Sequence, residues 1–280
     1  DKIMIQPPVY PEFYDVNELS GRRVAENNMI ERDGRWEIDF EDFEEKAKDP
    51  LTKMFILCNP HNPLGKVWTK AELGRMLSIC FENGVLVVSD EIHSDLIFHG
   101  KKHIPAAMAL PGAENRVITC LSATKTFNLA GLQASATVFP NREMKDIFDR
   151  YWGSLDIHRN NAFSSVAMEA AFREGEEWLE QLLPYLSANF DFVADYCREH
   201  IPQIKTCAPD ATYLMWLDCR ALGLDNDALR RFMIEQAGLG LNDGCSFGRS
   251  LNGYMRLNAA CPRSVLERAM KQLEAAVKAL

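Results

Sequence analysis

The sequence has no pair of cysteines at C-x-x-C spacing and no histidine placed to complete a zinc set, which excludes the common structural metal frameworks. Its eight cysteines, Cys58, Cys80, Cys120, Cys197, Cys207, Cys219, Cys245 and Cys261, are scattered and read as buried thiols of a reducing cytoplasm. No apolar run approaches the roughly 18 residues that a membrane span requires. The opening DKIMIQPPVYPEF lacks the charged-then-apolar build of a signal peptide, so a cytoplasmic protein without a membrane partner is expected. Positive charge is also scarce: 31 Lys and Arg stand against 40 Asp and Glu, a net charge of −9. With no basic cluster to offset that charge, nucleic acid is not an expected partner. Internal repeats and low-complexity segments are absent too, so neither a solenoid nor a disordered linker is expected.

What is present is an ordinary globular composition, 47% hydrophobic and 25% charged over 280 residues. At about 150 residues per domain, that length suggests two. The first half alternates short β-rich runs (KIMIQ, RVAENNMI, MFILCN, VLVVSDE, RVITCLSA, ASATVFP) with helical patterns, the signature of an α/β fold whose mostly parallel sheet is sandwiched by helices. Between two runs, Thr69 and Glu72 have capping-box spacing. Leu73, Met76, Leu77 and Cys80 then recur at helical spacing, and Gly84 supplies a stop. Beyond about residue 155 the texture changes to longer amphipathic helices. Trp178, Leu179, Leu182, Leu183, Leu186 and Phe190 mark one, expected to break or kink near Pro184, and the stripe from Val265 to Val277 marks the last. The strand-like runs TYLMWLDC and YMRLN lie between them. These patterns predict a large domain over 1–155 and a smaller α+β domain over 156–280.

Four segments carry candidate chemistry: QPPVYP at 6–11, NPHNPLG at 59–65, SDEIH at 89–93 and SATKTFNLAGLQ at 122–133. Each follows a predicted strand, so a parallel sheet brings all four to its carboxyl edge, where open α/β sheets bind ligands. They hold the residue types that pyridoxal 5′-phosphate (PLP) chemistry requires. Lys125 can bond an aldehyde, Asp90 can hold the proton of a ring nitrogen, and Ser122 and Thr124 can donate to a phosphate. Asn62 can donate to the ring oxygen, and His93 can bond the same oxygen or tune the lysine linkage.

Taken singly, each residue has a plainer role. An aspartate ending a strand commonly serves a turn, a lysine after a strand is commonly solvated, and His93 alone suits a satisfied structural histidine. Tyr10 between prolines suits a packed loop aromatic, Asn62 in N-P-x-N-P-x-G suits turn chemistry, and Arg256 suits an exposed strand position.

Together, IQPPVYP, CNPHNPLGKVW, VSDEIHSDL, SATKTFNLAGLQ, TYLMWLDC and YMRLNAACPR resemble the class I/II aminotransferases, fold-type-I PLP enzymes, and within them the MalY/PatB-like cystathionine β-lyase (C–S lyase) branch. The resemblance runs from Ile3 to the C-terminus. It implies that Lys125 bonds the cofactor and shuttles a proton, that Asp90 pairs with the pyridine nitrogen, and that Asn62 reaches the ring oxygen. It further implies that Tyr10 stacks on one ring face, Ile92 packs the other, and Arg256 holds the substrate α-carboxylate. A guanidinium fork suits that carboxylate better than an ammonium does.

The sequence departs from the family pattern in two respects. Gln133 stands where many aminotransferases carry an arginine, which favours the lyase branch. The resemblance also implies a further upstream segment, with a first strand and a glycine-containing loop at the phosphate, so the chain by itself is expected to hold PLP poorly. Two reactions use the same residues: β-elimination of a thiol from cystathionine or a related S-substituted cysteine, and transfer of an amino group to a 2-oxo acid. A homodimer is implied by the resemblance, and no metal is expected.

Overall fold

The strand-forming runs of the first half pair into one sheet. A computed structural model describes residues 1–32, 34–157 and 161–280. In chain order the first half gives β1 (Lys2–Ile5), α1 (Glu12–Leu19), β2 (Arg23–Glu26), β3 (Ile30–Arg32), β4 (Arg35–Glu37), α2 (Phe40–Lys48), β5 (Thr52–Cys58), α3 (Lys70–Glu82), β6 (Leu86–Asp90), α4 (Ala106–Ala109), β7 (Val117–Leu121) and β8 (Ala136–Val138). The sheet order is β2-β1-β5-β6-β7-β8, parallel throughout except for β8, which runs antiparallel to β7. Register aligns Cys58 with Asp90 and Asp90 with Cys120, so β5, β6 and β7 end level with one another.

Helices cover this sheet because their apolar stripes need it. α3 begins in the expected capping box: Thr69 Oγ1 accepts the Glu72 N–H, and Glu72 accepts the Thr69 N–H. Its end is closed by Asn83 and by Gly84 in the left-handed region, where a side chain would be strained. Leu73, Met76 and Leu77 pack with Met4, Phe43, Phe55, Leu57, Trp68 and Val87 into one core. The run RVAENNMI is not one strand. The strand ends at Glu26, although the Asn27 N–H still bonds the Ile5 carbonyl at 2.9 Å; the buried Asn27 side chain donates to the Asp39 carbonyl (2.9 Å) and Asp42 Oδ2 (2.8 Å) and accepts from Gln6. The β3–β4 antiparallel pair that follows had no counterpart in the sequence reading.

The second half contributes α5 (Arg142–Ser154), α6 (Ser164–Glu174), α7 (Glu176–His200), β9 (Leu214–Asp218), α8 (Asn226–Arg231), β10 (Asn242–Asp243), β11 (Tyr254–Asn258) and α9 (Arg263–Lys278). β10, β11 and β9 form an antiparallel sheet in that order. Of the expected break or kink, the break does not occur, and α7 continues through Pro184. Its downstream stripe, Leu186, Phe190, Val193 and Cys197, is buried in a second core with β9, β11 and α9, and that burial outweighs one lost helical hydrogen bond.

The two cores meet through the loop after β6. Leu96 and Phe98 enter the second core, Thr212 N–H bonds the Leu96 carbonyl and Phe98 N–H the Asp210 carbonyl, both at 2.9 Å. Gly65 accepts the Ala211 N–H at 2.9 Å on the same segment. α5 and α6 leave Ile147, Phe148, Tyr151, Trp152, Phe163 and Val166 exposed. Among the described residues no helix is long and apolar enough to cross a membrane.

Candidate active site

A cavity of about 260 Å³ opens where the level ends of the parallel strands face β9, β10 and β11. Its lining gathers Tyr10, Asn62, Asp90, Ile92, His93, Lys125 and Arg256, residues separated by up to 246 positions in sequence. The topology explains the convergence. Tyr10, Asn62 and Lys125 sit on loops that leave β1, β5 and β7, Asp90 ends β6, and Arg256 lies mid-strand in β11, reaching back across the gap.

Arg256 is held by amides. Its Nη1 donates to Asn62 Oδ1 at 3.0 Å and its Nη2 to Asn242 Oδ1 at 2.9 Å, while Nε is buried without a partner. The guanidinium also lies 4.7 Å from the centre of the Phe247 ring. Burial pulls its pKa below the ordinary arginine value, with Tyr213, Tyr10 and Glu12 opposing. No carboxylate is ion-paired with it among the described residues, so its charge is available to an anion. Asn62 spends its oxygen on Arg256, which leaves its amide hydrogens for another acceptor.

Asp90 touches the cavity but is otherwise enclosed by protein. Burial pushes its carboxyl up to about 6, against the Ile92 N–H at 3.3 Å and the charge of Lys125, which both pull it down. His93 is buried, and burial followed by the charges of Lys125 and Arg256 pushes it down to about 3, so it is neutral at physiological pH. Its Nδ1 has no partner, and its ring meets Tyr213 edge-on at 5.5 Å. Tyr10 is pushed up to about 12, first by burial and then by Glu12, so it stays a neutral phenol.

Ser122 and Thr124 do not join the lining. Their hydroxyls are 2.7 Å apart, and Ser122 Oγ donates to the Ala134 carbonyl at 2.7 Å and accepts the Thr124 N–H at 3.0 Å. In this geometry they brace the loop that carries Lys125. Glu12, Cys58, Tyr213, Leu214, Asn242 and Asn258 line the cavity without having been singled out. Cys58, Tyr213, Leu214 and Asn258 fall inside segments already noted, whereas Glu12 and Asn242 carried no local signal. No group of three or more metal-ligating side chains occurs among the described residues.

A family model described as aminotransferase class I and II matches residues 1–273. The chain belongs to this family. Among its relatives is the cystathionine β-lyase PatB of Bacillus subtilis, 41% identical over 99% of this chain and 72% of that protein. A PLP-bound protein of Clostridium difficile 630, provisionally named an aminotransferase, superposes with a TM-score of 0.96 at 45% identity, covering 99% of this chain and 71% of that one. Cystalysin from Treponema denticola, whose structure contains PLP, superposes at 0.97 with 32% identity, covering 100% and 71%. Family membership and the α/β architecture thus agree with the resemblance read from the motifs.

Proposed function

We propose that the protein is a PLP-dependent C–S β-lyase that cleaves cystathionine or related S-substituted cysteines to a thiol, pyruvate and ammonia. The observation that carries this reading is the convergence of Lys125, Asp90, Asn62 and Arg256 on one cavity, in a chain whose relatives include a cystathionine β-lyase. The donor set fits the cofactor. His93 Nδ1 and Arg256 Nε are buried polar atoms without protein partners, and Asp90 carries a desolvation penalty that a protonated ring nitrogen relieves.

In this reading Lys125 would hold the cofactor through its aldehyde, Asp90 would pair with the ring nitrogen, the spare Asn62 amide and His93 would serve the ring oxygen, and Tyr10 and Ile92 would cover the ring. Ser122 and Thr124 reach the phosphate only by exchanging their mutual bond for it. PLP, when bound, supplies the electron sink that makes a Cα proton removable. The Lys125 amine would take that proton, Asp90 would keep the ring nitrogen protonated, and Arg256 would fix the substrate by its α-carboxylate. Neutral His93 adds no charge that would compete for that carboxylate.

Amino transfer is the second reading, favoured by the Clostridium difficile neighbour, and it uses the same residues. The two separate by assay: purified protein with PLP is given cystathionine, then alanine plus 2-oxoglutarate. Thiol and pyruvate release in the first case supports the lyase, and glutamate formation alone refutes it. A homodimer is part of the proposal, supported by the exposed apolar side chains that α5 and α6 carry, among them Ile147, Tyr151 and Val166. So is a cytoplasmic setting, supported by eight free cysteines.

A further inference from the structure

We propose that Glu12 makes the site select S-substituted cysteines whose departing side chain carries an ammonium group. This rests on the lyase reading above and names the substrate class within it. Glu12 is the first residue of α1 and lies exposed at the cavity, two residues beyond Tyr10. Among the described residues the lining holds two carboxylates, Asp90 and Glu12. Asp90 lines the cavity but is largely enclosed and faces the charge of Lys125, so Glu12 is the exposed acid of the lining.

The rest of the rim is neutral. Asn242 spends its oxygen on Arg256 and Asn258 spends its own on the Ala260 N–H, so neither contributes charge. Arg256 and Glu12 are therefore the two poles of the opening, and the field of each acts on the other. Among the described residues Glu12 makes no ion pair; its side chain bonds the neutral Tyr10 phenol, which leaves its negative charge, like the positive charge of Arg256, uncompensated for a ligand. A substrate held at Arg256 by its α-carboxylate presents its far end to a region whose uncompensated charge is negative. A terminal ammonium is attracted there, an alkyl end is indifferent, and a terminal carboxylate is repelled. A partly solvated pair of this kind changes affinity by about fivefold.

The test uses three thioethers of similar length: S-(2-aminoethyl)-, S-propyl- and S-(2-carboxyethyl)-L-cysteine. PLP-loaded protein is assayed for thiol release, and binding of the same compounds is measured by calorimetry. In wild type, kcat/KM and affinity should follow the order aminoethyl, propyl, carboxyethyl. Glu12→Gln should lower the aminoethyl-to-propyl ratio about fivefold, and Glu12→Lys should invert the order of the two charged compounds. An unchanged ratio in both variants, or no preference in wild type, overturns the proposal. If wild type releases thiol from none of the three, the lyase reading fails, and the calorimetric order alone decides the role of Glu12: equal affinities, or no binding, overturn it.

Discussion

Replacing Asp90 with asparagine should strengthen the cofactor-free fold above neutral pH while disabling the site. Burial raises the Asp90 carboxyl from its ordinary 3.8 to about 6. At 1.36 kcal/mol per unit, ionising it in the folded protein costs about 3 kcal/mol, and water in the adjoining cavity reduces that to about 2 kcal/mol. Because the folded pKa is the higher one, the folded protein keeps a proton that the unfolded chain releases between about pH 4 and 6. Stability is therefore lost as pH rises through that window, and the loss is complete above it. Asparagine has no charge at any pH and its oxygen can still accept the Ile92 N–H. His61 and His93, both pushed down to about 3 by burial, give the opposite slope below about pH 6.5, but they are common to both proteins and cancel in the comparison. Urea midpoints of wild type and Asp90→Asn should coincide near pH 4 and separate by about 2 kcal/mol near pH 8, the variant being the more stable. Added PLP should narrow that separation, and thiol release should fall. A separation independent of pH, or a variant weaker at pH 8, would refute the reasoning.

Lys125→Ala should abolish pyruvate release and borohydride-trapped cofactor together, since among the described residues no other amine lines the cavity to replace it. Arg256→Ala should raise KM for cystathionine by the loss of about 2–5 kcal/mol of carboxylate binding while leaving the absorbance of bound cofactor in place. Gly65→Ala should destabilise the fold by about 2 kcal/mol or more in thermal denaturation. Gly65 has φ +60°, and a Cβ there would meet Pro209 Cβ at 2.3 Å and the Ala211 carbonyl oxygen at 2.8 Å.

The parallel sheet was legible because buried strands read as continuous apolar runs, and the candidate site because loops that follow such strands share one edge. Tyr10, Asn62, Asp90 and Lys125 were found that way, with the motif resemblance choosing among plainer roles, whereas Arg256, inside β11, came from the resemblance alone. Asn242 was not legible: it reaches Arg256 through the β10–β11 pairing, a contact no local pattern announces. Glu12 looks like any acid opening a helix, and only the cavity gives it a second meaning. Ser122 and Thr124 showed the converse limit. Their residue type suits a phosphate, but hydroxyl rotors choose partners that sequence does not specify, and here they choose each other and Ala134. The Asn27 side chain was illegible for a similar reason, since it bonds residues 12 and 15 positions away.

The hydrogen bond from Thr212 to the Leu96 carbonyl works as a short strut. Leu96 is six residues beyond Asp90, and Thr212 directly precedes Tyr213, so this strut spans the site from the floor to the opposite wall. Gly65 adds a second, three residues beyond Asn62. With the walls tied at both points, β9 and β11 cannot swing away from β6 without breaking backbone bonds next to the reacting groups. Room for substrates of different length must therefore come from the rim beyond these struts, where exposed Glu12 stands. The enzyme can thus vary what it accepts at its mouth while the spacing between Asp90, Lys125 and Arg256 stays set by the backbone.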